Sequence, residues 1–218
     1  MYRYILFDLD GTLTDSKEGI FNCIRYALET LNEPVPDEAM LKNFIGPPLY
    51  LSYMNFCGFD REKADRAVEL FRERYKVHGK FENAAAPGMP ELCARLKEKG
   101  YVLALASSKP EEMCVPICEK FGFAPSLDVI AGSPPGADHE KADIVREALR
   151  RLGVREEEMS QVLMVGDRNF DVLGAAACGI SCVGVEFFGY AAPGELEEAG
   201  AIAVVKTAEE LEVFILTH

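Results

Sequence analysis

Positive charge is scarce in this chain: 23 Lys and Arg stand against 36 Asp and Glu, for a formal net charge of −13 over 218 residues. Without a basic stripe nothing displaces counterions from a polynucleotide, which argues against a nucleic-acid polymer as partner. A small phosphate compound stays open as a ligand, because a metal and a few local donors govern binding at short range. No apolar run approaches the ~20 residues of a membrane span. No secretory leader precedes the first strand pattern, which starts almost at Met1. The expectation is a cytoplasmic protein with no membrane attachment. The seven cysteines include no C-x-x-C pair and read as reduced thiols. Cys114 and Cys118, four apart on a predicted helix, lack partners at zinc-site spacing and are assigned to the core. His78, His139 and His218 are too dispersed to make a cluster. Internal repeats and low-complexity segments are also missing.

What is present begins with the apolar run Tyr4-Ile5-Leu6-Phe7, which leads straight into Asp8-Leu9-Asp10-Gly11-Thr12. Residues two apart on an extended strand point to the same side, so Asp8 and Asp10 are expected close together. Two such charges repel unless a cation lies between them, and a hard divalent metal resolves the conflict. Their environments can also push their pKa values apart, leaving one as nucleophile and the other as acid. The plainer alternative is a strand with one wet face and an ordinary turn.

Three further polar clusters sit at equivalent places. The run at 101–106 ends in Ser107-Ser108-Lys109, and the run at 161–165 ends in Gly166-Asp167-Arg168-Asn169-Phe170-Asp171. Between them 128–131 reads as a strand, with Lys141 opening the next helical pattern. Ligands of open α/β sheets bind beyond the carboxyl ends of the strands. Four clusters at one sheet edge predict a site.

The organisation supports this. Residues 1–16 give the first strand and its turn, 17–84 are helical without a convincing strand, and from 85 strands and helices alternate. The predicted fold is α/β: a Rossmann-like parallel sheet sandwiched by helices over 1–16 and 85–218, with a small helical domain inserted at 17–84. Pro34, Pro36, Gly46-Pro47-Pro48 and Gly58 punctuate the insert into helices near 17–32, 37–43, 47–57 and 60–78. Later helices are expected near 88–99, 110–121, 140–152, 169–178 and 207–215, with strands near 181–185 and 202–205 completing the sheet.

D-x-D-G-T, a Ser closing a second strand, a Lys before a helix and G-D-x-x-x-D, in that order, resemble the signature of the haloacid dehalogenase-like hydrolase superfamily. The resemblance covers essentially the whole chain. It implies a Mg2+-dependent phosphatase of small phosphorylated metabolites, with Asp8 as nucleophile forming an aspartyl phosphate and Asp10 as acid and then base. Ser107 and Lys141 would hold phosphate oxygens, and Thr12, Ser108 and Lys109 would line the substrate. The metal would be held by Asp8, Asp10 (through its backbone carbonyl) and Asp167, with Asp171 orienting a metal water or Lys141. The insert would be a cap that excludes water. Its candidate selectors are Pro47 with its flanking Gly46 and Pro48, Ser52, Tyr53, Arg72, Tyr75, Lys76 and Asn83, with a solvated helix face as the competing account of Arg72 and Lys76.

Phe44-Ile45-Gly46-Pro47-Pro48-Leu49, Phe71-Arg72-Glu73-Arg74-Tyr75, Gly166-Asp167-Arg168 and Phe187-Phe188-Gly189-Tyr190 look most like the phosphoglycolate phosphatase-like branch, which includes 5'-nucleotidases and pyrophosphatases. Two positions depart from it. Asp138 stands where many relatives carry Arg, and Ala191 where Gly is usual. A dehalogenase would need neither Asp10 nor the full metal motif. A phosphomutase of the β-phosphoglucomutase type and a non-catalytic binding module are the remaining alternatives. A monomer is expected, with a homodimer as the other option.

Overall fold

In a computed structural model, which describes residues 1–134 and 139–218, the chain divides into two compact units: Met1–Thr14 with Ala85–His218, and Asp15–Ala84. Strand β1 (Tyr4–Phe7) opens the first unit, and β2 (Thr14–Asp15) pairs with β3 (Ala84–Ala85) in a two-stranded sheet where the chain passes between the units.

The second unit is helical: α1 (Lys17–Thr30), α2 (Glu38–Leu41), α3 (Leu49–Cys57) and α4 (Arg61–Val77). Asp37 caps α2 and Asp60 caps α4, each carboxylate accepting an amide three residues on. Gly58, at φ +69°, ends α3 in the left-handed conformation. Arg74 donates to both oxygens of Glu82 at 2.6 and 2.8 Å, closing α4 against the segment that follows it.

From residue 85 the first unit runs α5 (Met89–Glu98), β4 (Val102–Pro110), α6 (Glu111–Lys120), β5 (Val129–Ser133), α7 (Lys141–Leu152), β6 (Val162–Gly166), α8 (Asn169–Ala176), β7 (Ser181–Val185), α9 (Glu195–Ala199), β8 (Ala203–Val205) and α10 (Ala208–Thr217). Its sheet is six-stranded and parallel, in the order β5-β4-β1-β6-β7-β8. The period-2 alternation divides β1 cleanly. Ile5 and Phe7 enter a core with Leu103, Leu105, Leu163 and the apolar faces of α5, α6 and α10, while Tyr4 and Leu6 enter another with Ala104, Met164 and the faces of α7 and α8. Covered on both faces, the strands read as unbroken apolar runs. Cys114 and Cys118 belong to the first of these cores.

Sequence patterning passed over the short β2 and β3 and also helix α9: five residues, four of them Glu or Ala, held between Gly194 and Gly200 at φ +80° and +99°. Strand β4 runs on to Pro110, past the predicted stop at 106, with a register shift between Ser107 and Pro110. No helix among the described residues is long and apolar enough to cross a membrane. Asp138, one of the two departures noted above, lies outside the described residues.

Candidate active site

The sheet register places the chemistry. Phe7 lies opposite Leu105 of β4 and Val165 of β6, so the carboxyl ends of β1 and β6 lie level with the stretch of β4 that leads into Ser107. The sheet order reverses direction about β1, with β4 and β5 on one side and β6 to β8 on the other. This is the switch point at which open parallel sheets leave a crevice for ligands.

Asp8 follows β1 directly, and its amide still donates to the Val165 carbonyl at 2.9 Å. The chain then folds over Leu9, whose carbonyl accepts the amides of Leu13 and Thr14 at 3.0 and 2.9 Å. Gly11 sits at φ +86°, where a Cβ would lie 2.0 Å from Asp167 Oδ2. Only glycine lets the turn approach the Asp167 carboxylate so closely. The buried Thr12 hydroxyl donates to the other oxygen, Oδ1, at 3.5 Å.

Carboxylate oxygens of Asp8, Asp167 and Asp171 lie within 4.8 Å of one another. Lys141, the first residue of α7, is buried with them, its Nζ 2.5 Å from Asp8 and 2.6 Å from Asp171. Burial pushes the Asp8 carboxyl up to about 6, against the pull of Lys141 and with the repulsion of Asp171 and Asp10. Asp167 is raised well above the ordinary range by burial, then by Asp171 and Asp8. Burial would lower Lys141, but Asp171 and Asp8 outweigh it and hold the ammonium above its usual value. Three carboxylates against one lysine leave an excess of two negative charges when all are ionised. The Asp167 Oδ2 is buried without a hydrogen-bond partner. An excess of two charges, all-oxygen donors and an orphaned buried oxygen fit a hard divalent cation.

Other predicted residues fall elsewhere. The Asp10 side chain lies outside the three-carboxylate group, in keeping with the expectation that Asp10 would reach a metal by its backbone carbonyl alone: its oxygens lie 2.8 and 2.5 Å from Lys109 Nζ. Lys109 is thus committed to an aspartate where a substrate contact was expected. Ser107 is buried and accepts the Lys109 amide at 3.4 Å, while Ser108 is exposed. Within the second unit, Tyr75 is buried and stacks on Phe71 with ring centroids 5.4 Å apart, so its i, i+4 spacing marks the packed face of α4. Arg72 and Lys76 are on the exposed face, Pro47 is half-buried before α3, and Asn83 is half-buried after α4. Ser52 is buried and donates to the Pro48 carbonyl at 3.5 Å, and Tyr53 is buried with its hydroxyl unpartnered.

Sequence reasoning missed Glu195. Its carboxylate accepts from Arg168 Nε at 2.9 Å and from the amides of Asn169 and Ala192 at 3.0 and 2.9 Å, tying the Asp167–Asp171 loop to the start of α9. Burial opposes its charge, but Arg168 and the two amides hold it below the usual carboxylate range. The one sequence signal was the Gly194 and Gly200 bracket.

The family model for haloacid dehalogenase-like hydrolase matches residues 5–185. The chain belongs to that family. A 5'-nucleotidase of Pseudomonas aeruginosa is 41% identical over 196 residues, 89% of this chain and 87% of that protein. The tyrosine-protein kinase PtkA of Mycobacterium tuberculosis is 36% identical, covering 94% of this chain and 69% of its own length. A phosphoglycolate phosphatase of Cupriavidus necator is 31% identical over 97% of this chain and 92% of its own. Among solved structures, a predicted phosphatase from Clostridium acetobutylicum superposes over the full length of both chains with a TM-score of 0.91 at 38% identity. Within the haloacid dehalogenase-like family, this chain is a phosphoric monoester hydrolase.

Proposed function

We propose that the protein hydrolyses small phosphomonoesters through an aspartyl phosphate on Asp8, with Mg2+ as cofactor. The observation that carries this reading is the convergence of Asp8, Asp167, Asp171 and the buried Lys141 at the carboxyl ends of β1 and β6. Bound by Asp8 and Asp167 with Asp171 beside them, Mg2+ would supply the positive charge that lets an anionic nucleophile meet an anionic substrate.

The rest is the work of this chain's own side chains. Asp8 attacks phosphorus in line; its oxygen bonds to phosphorus as the bond to the leaving oxygen breaks, and that oxygen takes a proton from Asp10. In the second step Asp10 removes a proton from water. The water oxygen bonds to phosphorus, the bond to Asp8 breaks, and inorganic phosphate leaves. Lys141, already within hydrogen-bonding distance of the nucleophile, and Ser107, buried within β4, hold the non-bridging oxygens. In this reading residues 15–84 act as the cap that selects the leaving group, and Pro47 and Arg72 are its candidate selectors. Tyr75 belongs to the packed face of that unit.

Nucleoside 5'-monophosphates and phosphoglycolate head the substrate panel, on the strength of the two phosphatase relatives. Phosphate release with and without Mg2+ across these, pyrophosphate, phosphotyrosine and sugar phosphates tests the reading. We expect metal-dependent release from at least one ester and a loss of at least ~10⁴-fold in Asp8→Asn. Substantial turnover by Asp8→Asn would overturn the nucleophile.

A further inference from the structure

Four aspartates stand close in the sequence motifs, yet three share one site. Asp8, Asp167 and Asp171 converge, while Asp10, two residues from Asp8, gives both oxygens to Lys109. The pair is sheltered, its side chains 9% exposed for Lys109 and 19% for Asp10. The root of Lys109 is also fixed. Its amide donates to Ser107 Oγ at 3.4 Å, and the Cys114 thiol donates to its carbonyl at 3.5 Å. Gly132 of the neighbouring strand lies so near that a Cβ there would come within 2.7 Å of the same carbonyl oxygen. With an anchored backbone and a sheltered tip, Lys109 holds its ammonium against Asp10.

We propose that Lys109 is a positioning residue that keeps Asp10 out of the metal-binding carboxylate cluster. The proposal rests on the Mg2+-dependent phosphatase reading above and deepens it. A divalent cation held by Asp8 and Asp167 would attract any carboxylate within reach, and Asp10 is the next one along the chain. With its carboxylate on the metal, Asp10 would commit those lone pairs to the cation and lose its part in proton transfer. Lys109 competes for those lone pairs. Asp8, Asp167 and Asp171 would then be the carboxylates left to hold the cation, and Asp10 stays oriented for its own step.

Calorimetric titration with Mg2+ of the intact protein, Lys109→Met, Lys109→Arg, Asp10→Asn and the double variant Lys109→Met/Asp10→Asn tests this directly, beside kcat and KM on the best ester of the panel. Lys109→Met should bind Mg2+ on the order of tenfold more tightly and lose kcat with little change in KM. Lys109→Arg, which keeps the charge, should restore both. With Asn at position 10 there is no carboxylate to release, so adding Lys109→Met should leave Mg2+ affinity nearly unchanged. Equal tightening in that background would mean that Lys109 acts by bulk charge, and raised KM alone would mean that it contacts substrate; either overturns the proposal. Should no ester be hydrolysed, the phosphatase reading fails on its own, and the calorimetric cycle still decides the role of Lys109.

Discussion

At the amino end of β1, Glu158 accepts hydrogen bonds from Arg3, Tyr4 and Arg155 at 3.2, 3.1 and 2.9 Å, and from the Arg155 amide at 3.2 Å. At the carboxyl end, Asp8 and Asp167 face Asp171 with Lys141 as the cation between them. The side-chain and backbone hydrogen bonds of Arg155 hold Glu158 down to about 2, whereas burial drives Asp8 up to about 6. Two ends of one short strand therefore treat the same functional group in opposite ways. Where donors outnumber the carboxylate, it fastens the fold; where carboxylates outnumber the donor, the surplus charge is a demand for a ligand.

Removing the buried Lys141 ammonium should break that contrast most sharply. Lys141→Met leaves crowded carboxylates uncompensated, and we expect a loss of about 3 kcal/mol at pH 8, read from urea unfolding. The loss should shrink below pH ~6, where Asp8 takes up a proton, and should shrink with added Mg2+, which binds the folded form. Next comes Gly11→Ala. A left-handed φ and a Cβ overlapping Asp167 should cost about 1–3 kcal/mol and weaken Mg2+ binding, measured by melting temperature and calorimetry on one sample.

Glu195→Gln preserves shape and removes the charge that steadies Arg168. Mg2+ affinity should fall roughly tenfold with little change in melting temperature. The smallest effect belongs to Glu158→Gln. Because the folded carboxyl lies below its ordinary value, its contribution is full above pH ~4.5 and disappears as pH falls through about 2. The variant should melt a few degrees below the parent at pH 7 and alongside it near pH 2, in thermal melts across that window.

The sheet and most of its helices were legible because burial on both faces writes unbroken apolar runs, as in Tyr4–Phe7 and Val162–Gly166, and because turn residues punctuate the insert. The motif residues were legible as types at strand ends. Pairing was not. The pairing of Asp10 with Lys109 joins residues 99 apart in sequence, which no local pattern encodes. Tyr75 looked like a selector because sequence cannot tell which side of an amphipathic helix a hydroxyl-bearing ring will take. Glu195 was invisible for a different reason: a five-residue helix has too few turns to show a period.

The contact of Thr12 with Asp167 joins residues 155 apart in sequence, and this has a consequence for how the protein comes into being. One of the three clustered carboxylates, Asp8, leaves the ribosome with the first strand, and the other two, Asp167 and Asp171, only after β6 has been made. Asp8 cannot enter a three-carboxylate site until β6 is laid against β1, a pairing of high sequence separation and correspondingly slow to form. A cation held by these three carboxylates would therefore bind late in folding. Mg2+ affinity measured during refolding would mark completion of the central sheet.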